Sequence, residues 1–382
     1  MIPLFSSTNL RYALLAAAIL ITSSCTDEPA SESGDIPGLK DYFEDAFYMG
    51  TALNANQIFG QDEAGIALTL QEFNALTPEN IMKWEEIHPE PGLYNWEAAD
   101  RFVEFGNAND MYMTGHTLVW HSQTPDWVFE DENGNPLERE ALIERMRDHI
   151  FEVVGRYKGE VHSWDVVNEA LNEDGSMRET PWYNIIGKEY LLHAFRFAAE
   201  ADPEARLYYN DYSLEGAPKR QGAIELVQYL QENEVPIHGI GTQGHYSLDW
   251  PTSEELRATL TQFADLGIDV MVTELEIDVL PPAMDYMGAD VNINIEMREE
   301  LDPYADGLPA EVEAELNKRY AHIFEIFMEH HQDIHRVTFW GVQDGDSWKN
   351  NWPVQGRTNY PLLFDRDHER KPAYDSVVQA AM

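Results

Sequence analysis

Two glutamates follow apolar segments of the chain and could act as a pair. Glu169 ends the segment 161–170 (VHSWDVVNEA), and Glu274 lies within 269–278 (DVMVTELEID). Both segments are rich in β-branched residues, which is typical of buried strands in a parallel sheet. In an α/β barrel, such strands present polar side chains at their carboxyl ends, on the functional rim. Two carboxyl groups facing one cleft are the groups that cleave a glycosidic bond.

This chemistry requires the two carboxyl groups to differ in protonation. Cleavage with retention places them about 5–5.5 Å apart, one donating a proton to the leaving oxygen and the other attacking the anomeric carbon. Their surroundings must therefore push the two pKa values apart. We expect burial and a neighbouring carboxylate to raise the pKa of Glu169, and hydrogen bonds from groups such as Gln243 and His245 to keep Glu274 ionised.

The rest of the chain alternates between strand and helix patterns. Predicted helices include 185–200 and 253–266, the latter with Ser253 as its N-cap. Another spans 137–157, and its apolar face comprises Leu142, Ile143, Met146, Ile150, Val153 and Val154. Eight strand–helix units predict a single α/β domain, a (β/α)8 TIM barrel, with an irregular insertion at 281–309 after strand 7. An open, doubly wound sheet is the alternative, although no Gly-rich dinucleotide turn follows the first strand. The predicted strands are 47–53, 73–78, 111–120, 161–169, 206–213, 237–246, 269–274 and 336–342.

Further polar and aromatic side chains fall where predicted strands end. In a barrel they converge on one mouth, and their mixture of amides, histidines and tryptophans suits an uncharged ligand rich in hydroxyl groups. Asn210 and Asp211 could equally form a turn. His116, His121 and His245 could bind a metal, but they lie on different predicted strands without a short ligand spacing, so we expect no metal and no cofactor.

Five motifs give the chain a family resemblance. TPENIMKWE, GHTLVWHSQTPDW, WDVVNEA, GTQGHY and TELEID occur in this order, and together they resemble glycoside hydrolase family 10, the retaining endo-β-1,4-xylanases. The resemblance covers the chain from about residue 42 to its end. It implies a TIM barrel that hydrolyses internal β-1,4-xylosidic bonds of xylan by double displacement.

The resemblance also implies roles for individual residues. Glu169 matches the acid/base and Glu274 the nucleophile. Glu276 stands where the family commonly has Asp, a residue that steadies the nearby His245. The residues that match sugar contacts are Glu79, Asn80, Lys83, His116, Trp120, Asn168, Tyr212, Gln243, His245, Trp340 and Trp348.

The composition excludes some partners and leaves other functions open. A net charge of −44 over 382 residues argues against nucleic acid or an anionic lipid surface. We expect a monomer that acts on xylan and xylo-oligosaccharides. A β-glucanase or a mixed xylanase/cellobiohydrolase on the same barrel is one alternative, and a surface glycan-binding protein without turnover is another.

The first residues predict export. Arg11 precedes an apolar run at 12–21, which is too short to span a bilayer, and small residues then lead to Cys25. This resembles a bacterial lipoprotein signal over 1–24, with lipidation at Cys25 as the only membrane attachment. Residues 25–38 would be a flexible acidic tether and 39–382 the catalytic barrel. We expect an outer-membrane or cell-surface lipoprotein of a Gram-negative bacterium. The alternative is ordinary signal cleavage, with Cys25 incidental and a secreted or periplasmic enzyme.

Overall fold

A closed ring of parallel strands forms the centre of the protein. The computed structural model describes residues 36–282 and 294–382, and Pro37–Met382 form one compact unit. The predicted signal segment, Cys25 and most of the predicted tether lie outside the described residues. The strands are β1 (Tyr48–Leu53), β2 (Ala75–Pro78), β3 (Tyr112–Val119), β4 (Ser163–Asn168), β5 (Arg206–Asp211), β6 (Gly239–Thr242), β7 (His245–Ser247), β8 (Asp269–Asp278) and β9 (Ile334–Phe339).

Eight of these strands close the ring. Each of β1 to β5 pairs in parallel with the next strand, β6 pairs with β8, β8 with β9, and β9 with β1. The structure is therefore the predicted (β/α)8 barrel, and the open-sheet alternative is wrong. Since all strands run in the same direction, their carboxyl ends lie at one rim.

The predicted strand 237–246 is interrupted. β6 ends at Thr242, and β7 continues after Gln243 and Gly244, pairing only with β8 in the register His245↔Glu276. Gly244 has a φ of +84°, and a Cβ there would lie 2.8 Å from a Val272 methyl group. Glycine is therefore needed at this irregularity, which brings Gln243 and His245 to the rim.

The helices pack around the ring. On α6 (Arg139–Arg156), the predicted apolar face is confirmed, because it is buried except for Ile143, which is half-buried; the buried residues are Leu142, Met146, Ile150, Val153 and Val154. Each contributes about 1.5–3 kcal/mol by burial. The helices are α1 (Leu39–Tyr42), α2 (Ala55–Ile58), α3 (Glu63–Glu72), α4 (Trp84–Ile87), α5 (Trp96–Ala108), α6 (Arg139–Arg156), α7 (Pro181–Ile186), α8 (Tyr190–Ala201), α9 (Ala217–Glu232), α10 (Ser253–Ala264), α11 (Ala310–Glu329) and α12 (Pro372–Ala380).

Two helix predictions need correction. Thr252, not Ser253, is the N-cap of α10, because its side chain accepts a hydrogen bond from the backbone N–H of Glu255 while the Glu255 carboxylate accepts from the backbone N–H of Thr252. This reciprocal capping box outweighs a hydroxyl one residue later. The predicted helix 185–200 is interrupted, because α7 ends at Ile186 and α8 begins at Tyr190, with Gly187 between them at a φ of +86°.

The insertion follows β8, which is the seventh position in the ring. Its described parts are irregular apart from a short 3-10 turn at Glu299–Leu301 and a bridge between Ile295 and Val354. The hydroxyl of Tyr360 donates to the backbone carbonyl of Tyr304 at 2.9 Å, which fastens the end of the insertion to the loop that follows β9. Among residues 36–282 and 294–382, no helix is long and apolar enough to cross a membrane.

Candidate active site

A pocket of about 140 Å³ opens at the carboxyl ends of the strands. It contains every residue predicted for the site except Tyr212 and Glu276, and it adds Gln123. A cavity of about 760 Å³ lies at the opposite end of the ring, beside the beginnings of β1, β8 and β9. None of the predicted site residues lines this cavity. The smaller pocket is lined by Glu79, Asn80, Lys83, His116, Trp120, Gln123, Asn168, Glu169, Gln243, His245, Glu274, Trp340 and Trp348.

Glu169 follows β4 directly and its side chain is buried. Its backbone φ of 56° lies in the left-handed region, which costs a non-glycine residue about 1–3 kcal/mol, and its N–H donates to the carbonyl of Asn210 at 2.9 Å. The Trp120 indole N–H and the Gln243 amide donate to its two carboxyl oxygens at 2.9 and 3.1 Å. Burial and the charge of Asp211 outweigh these hydrogen bonds and raise the pKa of Glu169 to about 7.

Glu274 lies within β8, and its carboxyl group is held by charged and amide donors. His245 Nε2 lies 3.2 Å from its Oε2, and Asn210 Nδ2 donates to its Oε1 at 2.8 Å. Burial raises the pKa of Glu274, but the hydrogen bond from His245 and the nearby charges of His116 and Lys83 outweigh burial, so the net pKa lies below its usual value.

Amide side chains connect the two carboxyl groups. Asn210 Nδ2, which donates to Glu274, also donates to Asn168 Oδ1 at 3.0 Å, while Asn168 Nδ2 lies 3.3 Å from Glu169 Oε1. Thr273 fixes the orientation of Asn210 by donating its hydroxyl to Asn210 Oδ1 at 2.6 Å. The two glutamates therefore belong to one buried hydrogen-bond network around a common pocket.

His245 has a carboxylate beside each ring nitrogen. Its Nδ1 lies 2.9 Å from Glu276 Oε1, opposite the contact with Glu274. Burial lowers the pKa of His245, but the hydrogen bonds to Glu274 and Glu276 outweigh burial and raise it overall. An imidazolium donates from both nitrogens, so it fits both contacts.

Glu276 is fully buried behind the pocket. Besides His245, it accepts hydrogen bonds from the Ser347 hydroxyl at 2.9 Å and the Trp348 indole N–H at 2.5 Å. A glutamate at this position therefore makes the contact with His245 that was expected of the shorter Asp. It also connects His245 to the aromatic wall of the pocket.

The side of the pocket next to β2 carries a lysine held by two amide oxygens. Lys83 Nζ donates to Asn80 Oδ1 at 2.8 Å and to Gln123 Oε1 at 2.9 Å, and it lies 5.0 Å from the centre of the Trp120 ring. Burial lowers the pKa of Lys83 and raises that of Glu79. These groups present donors and acceptors in a row, as a chain of hydroxyl groups requires.

His116, on β3, and Trp340, after β9, form another part of the pocket wall. His116 Nδ1 lies 2.9 Å from the buried Asp165 Oδ2, and its ring contacts Trp340 edge to face at 5.4 Å. The Trp348 ring lies 5.1 Å from the ring of His245. These four rings give the pocket aromatic walls.

Tyr212 is placed differently from the other predicted contacts. It is buried, its hydroxyl accepts a hydrogen bond from Arg178 at 2.6 Å, and Lys219 Nζ lies 3.5 Å from its ring centre. It does not line the pocket. The structure therefore places Tyr212 beside Asp211 in a supporting layer.

Some residues of the site were missed or left undecided by sequence reasoning. Asn210, which could have been a turn, joins the network of both glutamates. Its signal was present, since it lies next to the end of β5, at the same level as Asn168. Gln123 lies in a loop with a φ of 45°, where no periodic pattern marks it. Asp165 and Ser347 act only through residues far away in the sequence.

The histidines do not gather around a common point. His116 contacts Asp165, and His245 contacts two glutamates. Among the residues that the structure describes, no group of three or more His, Cys, Asp or Glu side chains is arranged to hold a metal ion.

A parallel (β/α)8 barrel with two buried carboxyl groups of opposite pKa shift around one pocket defines a glycoside hydrolase site. One carboxyl group is poised to donate a proton at a pH where the other is ionised. The surrounding groups offer hydrogen bonds and aromatic faces, and the pocket suits a neutral sugar.

Comparison with known proteins gives the family. The profile of glycosyl hydrolase family 10 matches residues 38–380, and the chain belongs to this family. It is 42% identical over 343 residues to endo-1,4-beta-xylanase A of Xylanibacter ruminicola, covering 90% of this chain and 93% of that protein. It is also 42% identical over 375 residues to a beta-1,4-xylanase of Dictyoglomus thermophilum, covering 97% and 99%.

Solved structures agree with this assignment. The fold matches that of a GH10 endoxylanase from a sugarcane soil metagenome with a TM-score of 0.87 and 47% identity, over 90% of this chain and 99% of that one. Xylanase XynB of Paenibacillus barcinonensis matches with a TM-score of 0.81 and 38% identity, over 91% and 99%.

Proposed function

We infer that this protein is an endo-1,4-β-xylanase that hydrolyses internal bonds of xylan with retention of anomeric configuration. The observation that carries this inference is the opposed pKa shift of two buried carboxyl groups around one pocket, in a chain of family 10 whose relatives are xylanases. It is a glycoside hydrolase that needs no cofactor for this reaction.

In the first step, Glu274 acts as the nucleophile and Glu169 as the acid. The Glu274 carboxylate attacks the anomeric carbon, the bond to the leaving oxygen breaks, and Glu169 gives its proton to that oxygen. The pKa of about 7 keeps Glu169 protonated in weakly acid solution. The hydrogen bonds from His245 and Asn210 keep Glu274 ionised.

In the second step, Glu169 acts as the base. It takes a proton from water, whose oxygen attacks the anomeric carbon and releases Glu274. Once Glu274 is esterified, its negative charge is absent, so the pKa of Glu169 falls and base catalysis becomes easier. Two inversions give net retention.

The remaining pocket residues bind the sugar chain. Asn168 is placed between the two glutamates and is suited to the 2-hydroxyl of the sugar at the cleaved bond. Glu79, Asn80 and Lys83 offer hydrogen bonds to the sugar on the non-reducing side. His116, Trp120, Gln243, Trp340 and Trp348 surround the ring at the cut.

Hydrolysis of a glucan is the competing activity. Xylose lacks the exocyclic hydroxymethyl group of glucose, and a broad indole at Trp348 close to that carbon would exclude glucose by steric conflict. We expect reducing ends from xylan and at least tenfold fewer from carboxymethylcellulose. Proton NMR should show the β-anomer first, and initial formation of the α-anomer would contradict the retaining mechanism.

A glycan-binding protein without turnover would behave differently. It would bind xylan and release no reducing ends at any enzyme concentration. The buried, oppositely poised carboxyl groups argue against this alternative.

We further propose that the enzyme is exported and anchored through a lipid at Cys25. The support is the sequence alone: an apolar segment at 12–21, small residues before Cys25 and an acidic stretch after it. Radioactive palmitate should label the wild-type protein in its cell envelope and should not label Cys25→Ser. An unlabelled wild type would favour ordinary signal cleavage and release.

A further inference from the structure

A second pocket lies beside the catalytic one, and His245 is the only described residue that lines both. Its volume is about 620 Å³, against 140 Å³ for the catalytic pocket, so it can hold a whole additional sugar. We call it the side pocket. Its walls include Asp278, Tyr304, Lys349, Trp352 and Arg357, which come from the end of β8, the insertion and the loop after β9.

An aromatic stack connects the two pockets. Trp348 of the catalytic pocket and Trp352 of the side pocket stack with ring centres 4.6 Å apart and planes inclined by 23°. Lys349 Nζ lies 4.8 and 4.7 Å from the two ring centres. A group bound against Trp352 is therefore placed next to a sugar bound against Trp348.

The inner wall of the side pocket carries two buried cations. The side chains of Lys349 and Arg357 are 8% and 2% exposed, and their nearest carboxylate oxygen among the described residues is the same atom, Asp278 Oδ2, at 3.9 and 4.0 Å. The other oxygen of Asp278 accepts hydrogen bonds from the Leu280 N–H and the Asn359 amide. Lys349 and Arg357 thus share the single carboxylate of Asp278, and neither is within hydrogen-bond distance of it.

Arg357 in particular is incompletely paired. Its Nη1 and Nη2 reach only backbone carbonyls at 3.4 Å, and its buried Nε has no hydrogen-bond partner among the described residues. A buried cation without a close anion costs free energy. In a chain with 25 basic and 69 acidic residues, two such cations at one wall are a local exception.

Carboxylates also lie at the pocket, but on its outer rim. Asp249, Glu300 and Glu315 are exposed, and Glu300 pairs with Arg298 at 3.2 Å. Arg319, behind the rim, donates to the backbone carbonyl of Ser247. Water and salt screen exposed charges much more than buried ones, so the inner wall decides which ligand is accepted.

We propose that the side pocket is a specificity site that binds a uronic acid branch of xylan, with the carboxylate of the branch at Lys349 and Arg357 and its ring against Trp352. This proposal rests on the proposed xylanase function. The carboxylate of the branch would approach Lys349 and Arg357 more closely than Asp278 does. Because Trp348 and Trp352 are stacked, a branch on Trp352 lies next to the backbone sugar on Trp348.

The test compares three oligosaccharides with the same xylose backbone: unbranched, with one glucuronosyl branch, and with one neutral arabinosyl branch. In Lys349→Gln, kcat/KM for the glucuronosyl substrate should fall about tenfold or more, since a charge-assisted hydrogen bond is removed. The other two substrates should change less than about threefold. Lys349→Arg should keep the preference for the glucuronosyl substrate.

Lys188→Gln is the matched control. Lys188 also lies over an aromatic ring, that of Tyr229, at 4.2 Å, but it does not line the side pocket. It should leave all three rates unchanged.

The proposal would be overturned if Lys349→Gln lowered kcat/KM equally for the glucuronosyl and arabinosyl substrates, or if it lowered neither. Thermal unfolding of the variant checks that it is folded. Failure of wild-type protein to cleave even the unbranched chain would contradict the proposed function instead. Product mapping should find the glucuronosyl branch at one fixed position relative to the new chain end.

Discussion

The surroundings of Glu169 and Glu274 differ although the two residues stand around one pocket. Their exposures, 4% and 5%, are almost equal, so burial alone cannot separate their pKa values. Glu169 has neutral donors from Trp120 and Gln243 and the negative charge of Asp211 nearby. Glu274 has His245 at 3.2 Å and Lys83 and His116 close enough to lower its pKa.

Neighbouring charge, added to a similar degree of burial, therefore assigns the two roles. At Glu169, the two neutral hydrogen bonds and the charge of Arg178 do not offset burial and the charge of Asp211. At Glu274, the hydrogen bond from His245 and the charges of His116 and Lys83 do offset burial.

Removing the carboxylate of Glu274, which has cationic neighbours, should have the largest effect on catalysis. Glu274→Ala should lower kcat on every substrate by roughly 10⁴-fold or more, because no covalent intermediate can form. Steady-state kinetics on xylan and on an aryl xyloside measure this. The exposed Glu104→Ala, on α5, is the control and should retain full activity; equal retention by Glu274→Ala would place the nucleophile elsewhere.

Removing the carboxyl group of Glu169 should affect different substrates unequally. Glu169→Ala should slow xylan hydrolysis by roughly 10²–10⁴-fold, the usual contribution of a general acid, but should affect formation of the glycosyl–enzyme from an activated aryl xyloside far less. A burst of aryl alcohol should appear. The same loss on both substrates would contradict the acid role.

Changing the charge near Glu169 should move one limb of the pH profile. Activity requires Glu274 ionised and Glu169 protonated, so kcat/KM should rise as Glu274 loses its proton and fall as pH passes about 7. Asp211→Asn removes a charge that raises the pKa of Glu169, so the alkaline limb should move to lower pH. The acid limb should stay in place.

The control for this variant is Asp100→Asn, whose side chain pairs with Arg156 on the outer surface. It should leave both limbs unchanged. A profile of Asp211→Asn identical to that of the wild type would show that Asp211 does not tune Glu169. Asp211 also accepts hydrogen bonds from the Tyr209 hydroxyl and the Leu171 N–H, so thermal unfolding should accompany the kinetics.

The smallest effect is expected one shell away from Glu274. Glu276→Gln should lower kcat/KM by about tenfold or less, because His245 loses a carboxylate that raises its pKa and so supports the charge of Glu274 less well. The acid limb of kcat/KM should move to higher pH. Glu276→Asp, which keeps the charge, should remain closer to wild type, and a shift as large as that of Glu276→Gln would show that side-chain length matters more than charge.

Much of the fold and of the site followed from local patterns. The apolar segments before Glu169 and Glu274 predicted buried parallel strands, and strands of equal direction must end at the same rim. For this reason the sequence pattern was sufficient to predict, without measured interatomic distances, one pocket lined by Glu79, Asn80, His116, Gln243 and Trp348. Tyr212 also follows a strand end, but its side chain contacts Arg178 instead of lining the pocket. Its rotamer depends on side chains from other elements, which the local sequence pattern does not reveal.

The charged and hydrogen-bonding neighbours of each carboxyl group, in contrast, follow from tertiary contacts. Asp211 and Lys83 act on glutamates that are far from them in sequence, and Glu276 reaches His245, Ser347 and Trp348 at once. The sequence determined that two glutamates would share a rim, because strand direction follows from the alternation of elements. It did not determine which glutamate holds the proton, because burial and charge sum over residues that only folding brings together.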